Sequence, residues 1–121
     1  MKVAIVGASV NKTKYSNKAV RAYKAADHTV FPVNPNEREI EGLKCYTTVL
    51  EIPLDLDLVS VYLPPVIGLK VMVDIVKKGT KRVILNPGSE SKEIIRMLKM
   101  NKIDFTMTCS IKEIGADPAK L

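Results

Sequence analysis

The chain has 121 residues, 46% of them hydrophobic and 26% charged, which fits a single domain over residues 1–121 rather than two domains or a disordered tail. The net charge of +6, from 19 Lys and Arg against 13 Asp and Glu, favours an anionic partner such as a nucleotide cofactor. The two cysteines lack metal or disulfide spacing, and no apolar stretch reaches the roughly 18 residues of a membrane span, so we expect a reduced, cytoplasmic protein with no metal site and no membrane contact.

The first quarter of the chain predicts a strand followed by a helix. Residues 2–7 form a β-branched apolar run that ends at glycine, which is typical of a strand buried on both faces. From about Ser16 to Ala26, alanine, valine and tyrosine recur at helical spacing, and Ser16 or Asn17 can serve as the N-cap.

A second strand and an irregular connection follow. Residues 28–33 are mostly apolar and predict a strand, although Pro32 has no N–H and must lie where the sheet needs no donor, which favours the carboxyl end of the strand. Proline and glycine punctuate residues 34–56, so we expect an irregular segment there, with one helical turn near Thr48–Glu51.

The second half of the chain repeats the alternation. Residues 57–63 predict a third strand, and the helix after it ends at Gly79 behind two lysines that match its dipole. Residues 82–86 and 103–107 predict two more strands. The helix between these two strands begins at Ser89 or Ser91 and turns Ile94, Ile95, Met97 and Leu98 inward.

Strands that alternate with helices of about 10 to 13 residues indicate βαβ units with right-handed crossovers. The sequence therefore predicts an α/β fold: a single Rossmann-like domain with an open parallel sheet of about five strands and helices on both faces. In such sheets, ligands bind beyond the carboxyl ends of the strands.

The loop after the first strand has the composition of a phosphate site. Residues 7–16 begin with a glycine, contain hydroxyl groups, Lys12 and Lys14, and lead into a helix. The N–H groups at a helix N-terminus carry about half a positive charge, which lysines reinforce. The alternative is that Gly7 only permits a tight turn and that the lysines are solvated.

Two common nucleotide motifs do not fit this loop. A GxGxxG fingerprint would need glycines where the chain has Ser9 and Lys12, and no P-loop sequence occurs. The acidic residue that usually holds the NAD ribose after the second strand is also missing, because Asn34 stands there. These departures leave NAD(P) binding as an alternative only.

Seven segments carry a resemblance through their order and spacing. They are Val-Ala-Ile-Val-Gly-Ala-Ser (3–9), Pro-Val-Asn-Pro (32–35), Ile-Glu-Gly (40–42), Tyr-Thr-Thr-Val-Leu-Glu-Ile-Pro (46–53), Asp-Leu-Val-Ser-Val-Tyr-Leu-Pro-Pro (57–65), Asn-Pro-Gly (86–88) and Thr-Cys-Ser-Ile-Lys-Glu (108–113). Over about residues 2–113 the chain resembles the small CoA-binding proteins, which are stand-alone relatives of the CoA-binding domain in the succinyl-CoA synthetase α subunit. The resemblance implies coenzyme A or an acyl-CoA as the ligand.

The resemblance also implies which residues bind CoA, in three loops. The family's first loop receives CoA phosphates, and the loops after the second and third strands add contacts to the nucleotide and pantetheine. Carried over to this chain, these positions are Gly7, Ala8, Ser9, Val10, Lys12, Lys14, Ser16, Val33, Asn34, Pro35, Tyr62, Leu63 and Pro64. The synthetase's basic residue after the second strand corresponds only loosely to Arg38.

No residue combination predicts catalysis. Cys109 lies beyond the last strand at the ligand edge, where packing is the simpler role, and Cys45 has less claim to chemistry. His28 falls at the opposite edge of the sheet, and Asp55 and Asp57 flank a strand start, where they are solvated or capping. The synthetase works through a phosphohistidine on another domain, which residues 1–121 do not include, so we do not expect these residues to act as a complete acyl-CoA ligase.

The sequence thus favours a non-catalytic CoA-binding module that acts as a sensor, a carrier or a partner subunit of an acyl-CoA ligase. The alternatives are an NAD(P)-binding or thiol-dependent redox protein that uses Cys109, and a basic protein-interaction module. With no Trp and two Phe, nucleic-acid binding is disfavoured. A protein partner or homo-oligomer stays open.

Overall fold

The computed structural model describes residues 1–121 and contains seven strands and four α-helices. In chain order they are β1 (Lys2–Val6), α1 (Tyr15–Ala25), β2 (Thr29–Val33), β3 (Glu39–Ile40), β4 (Leu43–Lys44), β5 (Leu56–Val61), α2 (Pro65–Lys78), β6 (Thr80–Leu85), α3 (Lys92–Met100), β7 (Asp104–Met107) and α4 (Ser110–Glu113). Short 3₁₀ helices cover Val49–Glu51 and Pro118–Lys120. None of the helices is long and apolar enough to cross a membrane.

Five strands form one parallel sheet in the order β2-β1-β5-β6-β7. From β1 the chain moves outward to β2, and from β5 it moves in the opposite direction through β6 to β7. The loops that follow β1 and β5 therefore diverge, which opens a crevice at the carboxyl edge of the sheet. The predicted α/β class, parallel sheet and strand number are confirmed.

Both faces of the sheet are covered by helices. Alternate residues of each strand point to opposite sides, so β1, β2, β5 and β6 each contribute to two hydrophobic clusters. One cluster packs Val6, Val61 and Leu85 against Met72 of α2 and Leu98 of α3. The other cluster packs the opposite side of the same strands against α1 and Ile111 of α4. The helices thus lie on both faces, as predicted.

The structure corrects the predicted start of α1. Ser16 and Asn17 are buried inside the helix, and Lys14 occupies the N-cap position without a side-chain cap. Asn11 stabilises the approach instead, since its Oδ1 accepts the Thr13 N–H at 3.0 Å. For α3 the cap prediction is confirmed at Ser91, whose Oγ accepts the Ile94 N–H at 3.2 Å.

Pro32 lies near the carboxyl end of β2, an edge strand, as predicted. Its carbonyl oxygen accepts the Tyr46 N–H at 2.9 Å. Because the N and C=O of one strand residue face the same way, its missing N–H faces Tyr46 and leaves the pairing with β1 intact.

The segment predicted to be irregular contains a hairpin. Strands β3 and β4 pair antiparallel across Glu41 and Gly42, both with positive φ, the conformation of a type I′ turn. The predicted helical turn near Thr48–Glu51 is present as a 3₁₀ helix, capped by the Thr48 side chain on the Leu50 N–H. The short helix α4 was not predicted, because its four residues are too few for a periodic pattern.

Candidate functional site

The loops after β1 and β5 meet at Gly7. A Cβ on Gly7 would overlap the Tyr62 carbonyl oxygen and lie 2.9 Å from Leu63 Cδ2, and the φ of Gly7 is +85°. Both the space and the backbone conformation therefore require glycine. The close approach fixes the phosphate-type loop against the loop after β5.

Several predicted residues use their polar groups inside the protein. The Gly7 and Ala8 N–H groups both donate to the Val33 carbonyl oxygen, at 3.0 and 3.2 Å. Asn34 Nδ2 donates to the Ala8 carbonyl oxygen at 2.8 Å, and Asn34 Oδ1 accepts the Asn36 N–H. These residues join the first two loops, and the N–H groups of Gly7 and Ala8 are not free to bind a phosphate.

Backbone N–H groups without an acceptor begin at Ser9, the residue after Ala8. The N–H groups of Ser9 and Val10, and those of Tyr15 and Ser16 at the start of α1, have no acceptor within the protein. The helix dipole adds positive potential at this end of α1. An anion placed here could accept hydrogen bonds from these N–H groups without breaking any bond within the protein.

The two predicted lysines are both exposed and differ in their contacts. Lys12 Nζ lies 3.9 Å from Glu41 Oε1 in the β3–β4 turn, and its side chain is 72% exposed. Lys14 makes no ion pair. Such a long, solvated ion pair contributes little, so both charges are available to an incoming anion.

A cleft of about 510 Å³ lies beside this loop. It is lined by Tyr15, Tyr62, Leu63, Pro64, Asn86, Pro87, Gly88, Ser89, Cys109 and Lys112. Its walls come from the carboxyl ends of β5, β6 and β7 and from the first residue of α1. The volume is in the range of small-molecule sites.

Beneath the cleft lies a buried polar network centred on Asn86. Its Nδ2 donates to Ser60 Oγ at 2.8 Å and to the Val61 carbonyl at 2.9 Å, and its Oδ1 accepts the Ser110 N–H at 2.9 Å. Ser60 and Ser110 share a hydrogen bond of 2.5 Å, and Ser89 Oγ donates to the Val61 carbonyl at 3.1 Å. The network joins β5, β6 and α4, and so holds the floor of the cleft in one geometry.

Two tyrosines adjoin this network in protonated form. Tyr23 OH donates to the Ser110 carbonyl oxygen at 3.0 Å, and burial, followed by the charge of Glu113, raises the pKa of Tyr23 to about 12. The hydroxyl of Tyr62 is buried with no partner at hydrogen-bond distance, and burial raises the pKa of Tyr62 above its ordinary value as well. Neither tyrosine can serve as a base near neutral pH.

Cys109 is half-buried on the wall of the cleft and packs against the core face that contains Ile111. Its position at the carboxyl edge is as predicted. Cys45 is buried and its Sγ lies 3.6 Å from the Asn34 carbonyl oxygen, and burial raises the pKa of its thiol. Neither cysteine has a neighbouring histidine, because His28 lies at the opposite edge beside the N-terminal amine.

The two aspartates predicted to be solvated or capping also lie at the amino edge of the sheet, opposite the cleft. Asp57 accepts the Lys2 N–H at 2.8 Å and pairs with Lys81 at 3.0 Å. The Lys2 N–H holds the pKa of Asp57 below its usual range. Asp57 therefore caps the start of β1, while Asp55 is exposed.

The structure divides the thirteen predicted residues into groups. Tyr62, Leu63 and Pro64 line the cleft, and Pro35 lines a second, polar cavity of about 440 Å³ together with Arg38 and Lys44. The remaining nine form or hold the loop beside the cleft: Gly7, Ala8, Ser9, Val10, Lys12, Lys14, Ser16, Val33 and Asn34.

Sequence reasoning missed the contribution of the loop after β6. Asn86, Pro87, Gly88 and Ser89 line the cleft. The available signal was their place directly after a predicted strand, where the rule for parallel sheets puts ligand residues. Lys112 gave no such signal, because only the packing of α4 brings it to the cleft, whereas Tyr15 lies within the loop 7–16 after the first predicted strand.

The family described as CoA binding domain matches residues 1–115 of the chain. Acetate–CoA ligase (ADP-forming) of Methanocaldococcus jannaschii is 35% identical over 83 residues, which are 69% of this chain and 12% of the ligase. The alpha subunit of acetate–CoA ligase (ADP-forming) II of Pyrococcus furiosus is 31% identical over 84 residues, 69% of this chain and 18% of that subunit. The chain thus spans less than a fifth of the length of these curated relatives.

A relative of similar size is found among solved structures. A conserved hypothetical protein from Pyrococcus furiosus is 41% identical, with a TM-score of 0.86, over 93% of this chain and 97% of that chain. The same Rossmann-like fold is therefore present in a chain of nearly the same extent.

Proposed function

The chain belongs to the CoA binding domain family, and from that premise we propose that it binds coenzyme A or an acyl-CoA at the carboxyl edge of its sheet and catalyses nothing by itself. One observation supports this most: unpaired N–H donors at the start of α1 lie directly beside a cleft that is lined by both apolar and polar residues. CoA has the matching two parts, a charged nucleotide and a long uncharged pantetheine arm.

The residues present fit these two parts separately. The N–H groups of Ser9 and Val10, with the positive end of α1, suit the pyrophosphate. The cleft between Leu63 and Pro87 suits the pantetheine arm, whose amides can meet the polar end of Lys112 at the wall. The tight approach of Gly7 to Tyr62 lets one ligand span both halves.

NAD fits the second loop less well. Asn34, at the position where an acidic residue would hold the ribose hydroxyls, already uses its side chain on Ala8 and Asn36. The Asn34 side chain therefore does not offer the two acceptor oxygens with which a carboxylate would hold the ribose hydroxyls. This favours CoA over a dinucleotide.

We expect CoA to bind more tightly than dephospho-CoA, because Lys12 and Lys14 are free to pair with the 3′-phosphate. A charge-assisted hydrogen bond is worth roughly 1.5 to 3 kcal/mol. Isothermal titration of both ligands tests this, and the gap should shrink in Lys12→Ala, in Lys14→Ala and most in the double variant. It should also shrink at high salt, since the Debye length is already about 8 Å at physiological ionic strength.

Lys99→Ala is the matched control, an exposed lysine in the last turn of α3, at the end of that helix farther from the cleft loop. Equal binding of CoA and dephospho-CoA at low and high salt would show that these lysines are only a solvated surface. A gap that persists in the double variant but disappears in Arg38→Ala would place the 3′-phosphate in the second cavity instead.

Cys109→Ser is expected to bind CoA within a few fold of the parent protein. The thiol packs on the cleft wall, and serine keeps nearly its shape. Calorimetry measures the affinity, and intact-mass spectrometry under non-reducing conditions checks the thiol. A loss of more than tenfold, or a stable mixed disulfide between Cys109 and CoA in cells, would contradict this role and favour redox storage.

A second candidate is that the chain supplies the CoA-binding part of a larger acyl-CoA ligase assembly. The observation that favours it is that the matched relatives are ADP-forming acetate–CoA ligases of which this chain covers only a small part. In either case we place the chain in the cytoplasm, where Cys45 and Cys109, which form no disulfide, stay reduced.

A further inference from the structure

The loop between β1 and α1 is held by two side chains of α1. Asn17, which is fully buried, donates from Nδ2 to the Ser9 carbonyl oxygen at 2.8 Å. Arg21 donates from its guanidinium group to the Lys12 carbonyl oxygen, also at 2.8 Å. The loop has no helix or strand of its own to fix these carbonyl groups. The two side chains therefore set the orientation of the Ser9–Val10 and Lys12–Thr13 peptide planes.

The bond to Ser9 determines the direction of the next amide. The Ser9 carbonyl and the Val10 N–H belong to one planar trans peptide unit, in which the two groups point in opposite directions. Because the carbonyl faces Asn17 on α1, the Val10 N–H faces away from that side chain. This N–H has no acceptor within the protein, and Val10 is 52% exposed. A buried side chain thus orients an unpaired donor.

Asn17 has only one amide orientation that satisfies its neighbours. Its Oδ1 accepts from Arg21 Nε at 2.8 Å, and its Nδ2 donates to Glu41 Oε2 at 3.1 Å as well as to Ser9. An arginine can only donate and a carboxylate can only accept, so the amide cannot be reversed. Glu41 lies in the β3–β4 turn with a φ of +51°, a backbone conformation that non-glycine residues rarely adopt. Because Glu41 accepts from Asn17, the hairpin turn helps to hold Asn17 in place.

We propose that Asn17 is the positioning residue of the phosphate loop: it does not touch the ligand, and it aims the Val10 N–H at a phosphate of CoA through the Ser9–Val10 peptide. The proposal rests on the proposed function and identifies what preorganises that site. A donor fixed before binding loses little conformational freedom on binding, which increases affinity. Without Asn17, the peptide unit is free to rotate.

Asn17→Ala tests the role with two ligands, CoA and pantetheine, which lacks the phosphates. We expect CoA affinity to fall roughly tenfold or more, the effect of losing one hydrogen bond to a charged group, while pantetheine affinity is unchanged. A general loss of structure would weaken both ligands alike. Asn101→Ala is the matched control, because Asn101 Nδ2 donates to the Met97 carbonyl at the exposed end of α3.

The unmodified protein offers a second measurement, which decides the matter if Asn17→Ala does not fold. The amide NMR resonance of Val10 should shift on saturation with CoA and stay in place with pantetheine. An unmoved Val10 resonance at full CoA occupancy, or unchanged CoA affinity in folded Asn17→Ala, would overturn the role of Asn17 while leaving CoA binding intact. An unmodified protein that binds no CoA would refute the proposed function, and this role with it.

Discussion

Gly7→Ala is expected to lower the free energy of unfolding by roughly 3 kcal/mol and to remove measurable CoA binding. A positive φ costs a side chain about 1 to 2 kcal/mol, and crowding at a packed position costs about 1 to 3 kcal/mol. The crowding is severe here, because the new Cβ would overlap the Tyr62 carbonyl oxygen, which is backbone and cannot turn aside. Denaturant titration measures the loss of stability.

Gly115→Ala separates the two costs. Gly115 has nearly the same φ, +80°, but a Cβ there would meet nothing within 4 Å. Its loss of stability should be about 1 to 2 kcal/mol, the conformational cost alone. Equal losses in the two variants would show that the approach of the first loop to Tyr62 is not close.

Ser9→Glu is expected to weaken CoA binding at least a hundredfold while the protein stays folded. The new carboxylate would lie among the free N–H groups beside α1 and compete with the phosphate that belongs there. Two unit charges about 4 Å apart repel by about 4 kcal/mol at an effective dielectric constant of 20, which is more than a hundredfold in affinity. A negative charge near a helix N-terminus does not destabilise the fold.

Ser9→Gln is the matched control, because glutamine has the size of glutamate without its charge. Its affinity for CoA should stay at least tenfold above that of Ser9→Glu, and both variants should give native circular dichroism. Undiminished binding in a folded Ser9→Glu variant would move the phosphate site to another loop. Equal losses in the two variants would indicate crowding rather than charge.

Most of the sheet could be predicted from the sequence, because its signals are local. Residues 2–7 and 57–63 are mostly apolar, and they cover β1 and all but the first residue of β5, two central strands of the sheet. Ser91 caps α3 through a bond to a residue three positions away, a spacing visible in the sequence. Gly7 ends a strand at a place where ligand loops begin, and the structure shows that no other residue fits there.

The unpredicted features depend on contacts between distant segments. Asn17 looked like an N-cap, but its side chain joins Ser9 to Glu41, and Glu41 reaches it only because β3 and β4 form a hairpin. Likewise, the cleft needs Ser89 and Lys112, which are brought together only in the folded sheet. Neither set of contacts can be predicted from local sequence patterns, since both result from tertiary packing.

The melting temperature of the purified protein with CoA, compared with the same concentration of NAD, tests CoA binding most directly. A ligand that binds only the native state adds about 2.7 kcal/mol at a hundredfold excess over its Kd, which is roughly 10 °C for a domain of this size. We predict a rise of that order with CoA and none with NAD. A rise with NAD and an unchanged melting temperature with CoA would contradict CoA binding at this site.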